Sequence, residues 1–381
     1  MTQMLGNNSL SPTSGGLVFR VALRVESSPM KMVRSIILAT GVFAAGTAFA
    51  QPAPPTPVIL DTDCGFASDD AMALLALLQS ERVDLLGVTV VTGNDWLKQE
   101  VQNVLRLLEI AGRPEVPVFA GSERPLITSQ EEMIRRERIY GETSDGGYKG
   151  AWREGGPASH EVVPPDGVFA SVGPREKHAS DFLIETIRGR PREVVLAAIG
   201  PLTNLALALA KDPEVASLAR ELVVMGGGIG RLPEFNFWMD PEAARITLRA
   251  DWPRVTLTPI NIAERAPFTL EAARTLASID SEIGRYFRDV HVKRVVAHPV
   301  TPLMYDQIAI LALLEPEVVR RSEEMFLDVE VDHGAFYGAT LYWDSERRPP
   351  EGVRKASVLL DLDAPRFMES FFDLMKKPGS R

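Results

Sequence analysis

Between residues 58 and 120 the chain alternates short apolar runs with longer stretches of helical apolar spacing, and this alternation restricts the fold more than any other feature. Residues 58–60 are apolar and strand-like, and residues 71–79, "AMALLALLQ", form helix strongly. A second strand is predicted over 85–91, ending at Gly93-Asn94. The run "WLKQEVQNVLRLLEIAG" follows as a helix closed by Gly112, and "VPVFAG" as a third strand. Strand, helix, strand, helix, strand marks a parallel sheet with helices on its faces. Later runs of the same kind, "EVVLAAIG", "ELVVMGG" and "RVTLTPIN", extend the pattern, residues 270–314 read as mainly helical, and "EEMFLDVEVDHGAFYGATLYWD" with "ASVLLDLD" supplies the last strands. The fold expected is a single α/β domain over 58–381 with a mostly parallel central sheet. Residues 121–172, rich in glycine and charge, read as a long loop or mixed region in which Arg135, Arg136 and Arg138 form a helix edge.

The N-terminus has another character. Lys31 and Arg34 precede an apolar run over 36–45 and then Ala48-Phe49-Ala50, the layout of a secretory signal peptide cut after Ala50, with the start of translation at Met30. Residues 1–50 are therefore an extension and signal, residues 51–57, "QPAPPTP", a proline-rich tether, and the expected location is periplasmic or secreted. The apolar run is too short for stable membrane insertion. A net charge of -10 argues against general nucleic-acid binding, and a single cysteine, Cys64, excludes an internal disulfide or a thiolate metal cluster. The glycines of "VMGGGIG" lack dinucleotide-binding spacing and follow a late strand.

The stretch "VILDTDCGFASDD" places Asp61, Asp63, Asp69 and Asp70 at the carboxyl end of the first strand, where ligands collect in such sheets. One aspartate can cap the following helix and another can close a turn. The whole set needs a balancing cation, solvent exposure or a shared proton, because like charges so close repel. A hard cation such as Ca²⁺, with six to eight oxygen ligands, suits carboxylates, whereas tetrahedral zinc recruits histidine or cysteine. Asn94, the stretch 199–204, the stretch 234–240 and Asp306 fall at the ends of later predicted strands and converge on one cleft.

The ordered series "DTDCGFASDDAMALLAL", "TVVTGN", "AAIGPLTNLALAL", "VVMGG", "PEFNFWMDPEAA", "PLMYDQIAIL" and "EVDHGAFYGAT" resembles the inosine–uridine-preferring nucleoside hydrolases over roughly residues 57–365. The resemblance implies a calcium-dependent N-ribosyl hydrolase that cuts ribonucleosides to ribose and free base. It implies Asp63, Asp70, the Ile199 carbonyl and Asp306 as calcium ligands, and Asp69 as the base that deprotonates a calcium-bound water. Asn94, Glu234 and Asn236 match groups that hold ribose hydroxyls, with Met225 near the sugar. The partner implied is a small nucleoside or related riboside, and a homodimer or homotetramer is implied by the family alone.

Four departures stand out. The spacing from Asp63 to Asp69 is two residues longer than the plain form, with Ala67 where a longer variant carries an aspartate. Tyr305 replaces a histidine before the late aspartate, "GIGRLP" lacks an asparagine, and Tyr140-Gly141 stands for His-Gly. For the leaving base, Tyr305, Tyr140, His333 and Trp238 are the available polar aromatics, Tyr305 beside an expected ligand and Trp238 as a stacking platform. His178, His291, His160 and His298 read as surface or capping residues. A hydrolase of another riboside or glycoside, and a riboside-binding protein without turnover, are the alternatives that the departures leave open.

Overall fold

The computed structural model describes residues 54–297, 300–344 and 347–377. The expected signal peptide, the start at Met30 and His298 lie outside the described residues. Among the described residues nine strands form one sheet: β1 (Thr56–Thr62), β2 (Val83–Val90), β3 (Val118–Ala120), β4 (Val195–Ala198), β5 (Glu221–Met225), β6 (Val255–Thr258), β7 (Val319–Val329), β8 (Thr340–Trp343) and β9 (Arg354–Leu362). Their order is β3-β2-β1-β4-β5-β6-β9-β7-β8. The strands from β3 to β9 in that order pair in parallel, and β7 runs antiparallel between β9 and β8. The expected α/β domain with a mostly parallel sheet is the fold observed.

Burial on both faces explains the apolar strands. Val58 and Leu60 of β1 point into one core, with the helices Asp69–Leu78, Leu97–Ile110, Asp306–Leu314 and Ala364–Lys376. Ile59 points into the other, with the helices Ala179–Gly189, Thr203–Lys211 and Pro241–Arg249. Such two-sided burial selects near-continuous apolar strands. Because β1 lies between β2 and β4, the chain winds outward in both directions from this pair. The carboxyl ends of β1 and β4 thus flank the crevice where an open α/β sheet takes its ligand.

Two boundaries differ from expectation. The tether ends sooner, since Thr56 and Pro57 already pair with Val83 and Asp84, and Asp61 belongs to β1 rather than to the loop. Segment 121–172 contains the helix Gln130–Tyr140, capped by Ser129. Arg136 is no exposed edge: it is buried, with its guanidinium 4.3 Å from the centre of the Tyr337 ring. Among the described residues no helix is long and apolar enough to cross a membrane.

The antiparallel extension is fastened to the parallel sheet by charge. Buried Asp328 of β7 accepts from Arg249 Nε at 3.1 Å and Nη2 at 2.5 Å, with Arg245 at 3.5 Å. Removing one member of a buried pair leaves the other charge uncompensated. Both arginines are partly exposed, which moderates the loss. Asp328→Ala is expected to destabilise the protein by about 2–3 kcal/mol in denaturant unfolding. A change below about 0.5 kcal/mol would show that this pair does not hold the extension.

Candidate metal centre and its cavity

The site begins where β1 stops. Thr62 ends the strand, and Ser68 caps the helix Asp69–Leu78 by accepting the Ala71 amide at 3.4 Å. Asp69 and Asp70 thus occupy the first helical turn, where the helix dipole favours carboxylates. Asp306 opens a second helix, Asp306–Leu314, packed beside the first. The two N-termini bring Asp69, Asp70 and Asp306 together, with one oxygen from each lying within 4.8 Å of the others.

Asp63 stands next to this group. Its Oδ2 accepts the Asn94 amide at 2.8 Å, and a side chain at Gly93 or Gly200 would overlap its carboxylate. Asn94 Nδ2 donates to Asp63 O at 2.9 Å and Asp70 Oδ2 at 2.8 Å, and Thr62 Oγ1 donates to Asp70 Oδ1 at 2.6 Å. Asp61 lies behind the site as a brace, bonded by Thr89 and by Asn204 Nδ2 at 2.8 Å.

A cavity of about 400 Å³ opens over the cluster. Asp63, Asp69, Asp70, Asn94, Ile199, Met225, Glu234, Asn236, Tyr305 and Asp306 all line it. Sequence analysis named each of these ten. Asn236 Nδ2 lies 2.9 Å from Ile199 O and 3.2 Å from Met225 O, which commits its donors and leaves Oδ1 as the group it can offer. Glu234 caps the short helix Phe235–Met239 through the amides of Asn236 and Phe237 and also accepts from Gly227 N at 2.8 Å.

Trp238 must be struck from the candidate stacking platforms. It is wholly buried, its Nε1 donates to Thr143 Oγ1 at 3.1 Å, and it packs on Trp152 away from the cavity. Tyr140 is exposed at a helix end and does not line the cavity, and His333 pairs with Glu132 and stacks on Tyr337. His178 caps the helix Ala179–Gly189 as expected. His291 is buried, contrary to the surface role expected of it: it lies 3.0 Å from the Tyr286 hydroxyl, which donates to Phe66 O at 2.6 Å. Burial pushes His291 down to about 3, so it is neutral.

Arg294 escaped sequence analysis. It sits on the helix Lys293–Ala297, lines the cavity, and donates to the carbonyl of Ala67. No spacing in "VHVKRVVA" marks it. The signal available was indirect, a set of acids without an assigned counter-charge. Tyr286 and Arg294 together anchor the carbonyls of Phe66 and Ala67 in the loop between Asp63 and Asp69.

Burial raises every acid of the cluster. Asp63 and Asp306 are held well above the usual carboxylate range by desolvation and then by neighbouring carboxylates. Asp70 rises to about 6 through burial and then the charge of Asp69. Burial also raises Asp69, and Arg294 opposes that rise. The donors are all oxygen, no histidine or cysteine among the described residues lines the cavity, and the charges need compensation, so the residues fit a hard divalent cation. The cluster is able to hold such an ion.

Stability should follow from this. In chelator, Asp70 at about 6 and Asp61 and Glu234 at about 7 bind more protons folded than unfolded. Their contribution is complete below the unfolded carboxylate range of about pH 4 and is lost as pH rises toward these values. A cation held by Asp70 removes that residue's share of the penalty and competes with its proton, so the gain in Tm on adding calcium should be larger at pH 7 than at pH 5. Equal gains by calorimetry at both pH values would exclude binding through these carboxylates.

Comparison with known proteins agrees with this geometry. Residues 58–369 match the family model described as inosine-uridine preferring nucleoside hydrolase. The chain is 31% identical over 342 residues to "Probable uridine nucleosidase 1" of Oryza sativa subsp. japonica, covering 84% of this chain and 97% of that one. It is 28% identical over 335 residues to "Pyrimidine-specific ribonucleoside hydrolase RihA" of Shigella boydii, covering 84% and 98%. Among solved structures it is similar to "Plant nucleoside hydrolase - PpNRh1 enzyme", with TM-score 0.70, 26% identity and coverage of 85% and 100%. It is also similar to "Inosine-Guanosine Nucleoside Hydrolase (IG-NH)", with TM-score 0.67, 25% identity and coverage of 84% and 99%. The family match spans most of the chain, and the chain belongs to the inosine-uridine preferring nucleoside hydrolase family.

Proposed function

We propose that this protein hydrolyses the N-glycosidic bond of ribonucleosides to ribose and free base, with calcium as its cation. The observation that carries the reading is the convergence of Asp69, Asp70 and Asp306 on one point beneath a cavity lined by Asn94, Glu234 and Asn236. Asp63, Asp70, Asp306 and the Ile199 carbonyl would hold the ion. Calcium bound there supplies a hard charge that acidifies water and attracts the oxygens of a cis-diol.

The protein's own groups divide the remaining work. Asp69 takes the proton from the attacking water, and Arg294 helps keep it ionised against the effect of burial. Positive charge builds on the anomeric carbon as the bond lengthens, and the surrounding carboxylates are placed to stabilise it. Asn94, Glu234 and Asn236 orient the sugar hydroxyls, and Met225 packs beneath the ring. Tyr305, pushed up to about 12 by burial and then by Asp69, stays protonated and donates a hydrogen bond to the departing base. The relatives' names support a riboside and differ in the base, one naming uridine and another inosine and guanosine.

The test is release of free base from inosine, guanosine, uridine and cytidine, each with calcium and with chelator. Turnover is expected with calcium and loss of it with chelator. Asp69→Asn should lower kcat by about 10²–10⁴. If no nucleoside releases its base under any of these conditions, the proposal is wrong.

A further inference from the structure

The turn formed by Gly93, Asn94 and Asp95 is gripped from both sides. Beneath it, buried Glu100 accepts the amides of Gly93 at 3.3 Å and Asp95 at 2.6 Å, while Asp63 takes the amide of Asn94. Above it passes a strap, residues 148–157. Ala151 N donates to Gly93 O at 2.8 Å, Arg153 Nη1 to Asn94 O at 3.2 Å, and Arg153 Nη2 to Asp95 Oδ1 at 3.0 Å. Trp96 Nε1 donates to Pro157 O at 2.8 Å. One bond from the strap reaches a side chain that touches the acid cluster: the Tyr148 hydroxyl donates to Asn94 Oδ1 at 2.8 Å.

We propose that Tyr148 is a positioning residue for sugar recognition, acting through Asn94. The inference rests on the cavity taking a riboside. A carboxamide turns easily about its last torsion, and a carbonyl oxygen accepts two hydrogen bonds. With Nδ2 directed at Asp63 O and Asp70 Oδ2, the Tyr148 hydroxyl occupies one lone pair of Oδ1. The other is left for a hydroxyl of the bound sugar. Asn94 is thereby ordered before the ligand arrives, and binding is spared the entropy of ordering it. The Tyr148 ring is held independently, edge-on to Phe235 with centroids 4.9 Å apart, and it lines the cavity itself. Nothing in "SDGGYKGAW" marks Tyr148, because its partner lies 54 residues away in sequence.

Tyr148→Phe keeps the ring packing and removes only the hydroxyl. Three measurements on the calcium-loaded protein test the role. Calorimetric titration of free ribose should show affinity weakened about fivefold, and KM for a ribonucleoside should rise by a similar factor while kcat stays within about twofold. Tm should be unchanged, which separates positioning from support of the strap. Unaltered ribose affinity in the variant overturns the inference, as does a joint fall of kcat and kcat/KM with a lowered Tm. Weaker ribose binding in the variant, with turnover in neither protein, supports Tyr148 while overturning the hydrolase reading. Wild-type protein that neither binds ribose nor releases base sinks both.

Discussion

Mutual repulsion among buried carboxylates governs this molecule. Asp63, Asp70 and Asp306 are almost wholly withdrawn from water, and Asp69 lies against two of them. An uncompensated buried charge costs several kcal/mol, against a total stability of about 5–15 kcal/mol for an ordinary domain. The architecture eases that cost in stages. Two helix N-termini point at the cluster, the Asn94 amide and the Thr62 hydroxyl donate to it, and Arg294 stands beside Asp69. The cluster is able to hold a divalent cation, and an ion bound there would complete the compensation and couple metal binding to folding.

The position of the cluster follows from sheet topology. With β1 between β2 and β4, the carboxyl ends of β1, β2, β4 and β5 and the loops that follow them meet over one crevice and bring Asp63, Asn94, Ile199 and Met225 to it. The helix Asp306–Leu314 delivers the last acid from far along the chain. Packing around these loops is local and specific. Phe66 and Ala67 are tied back by Tyr286 and Arg294, and the shortened loop "GIGRLP" reaches across through Arg231 to Asp145, which also lines the cavity.

Much of the site was legible because it rests on motifs in which neighbours in sequence are neighbours in space. Asp69 and Asp70 come just before an obvious helix, so spacing puts them at its start, and the motif resemblance marked Glu234 and Asn236. Residues whose role depends on distant partners were misjudged or missed. Trp238 adjoins the Glu234–Asn236 pair in sequence, yet the helix turns its ring into the core. His291 has its partner at Tyr286 and, through it, at Phe66. Arg136 finds the Tyr337 ring some 200 residues on, so a charge-rich stretch that resembles a solvated edge is buried instead.

By itself the sequence determined the alternation of strands and helices and the parallel character of the sheet, because periodicity and capping act over a few residues, and the acids were marked by the resemblance of its motifs. The tertiary structure alone decided that Arg294 is the cation beside the acids, that Trp238 turns into the core, and that Tyr148 reaches Asn94. Those pairings cross tens to hundreds of residues, and only the packing of whole elements sets such distances.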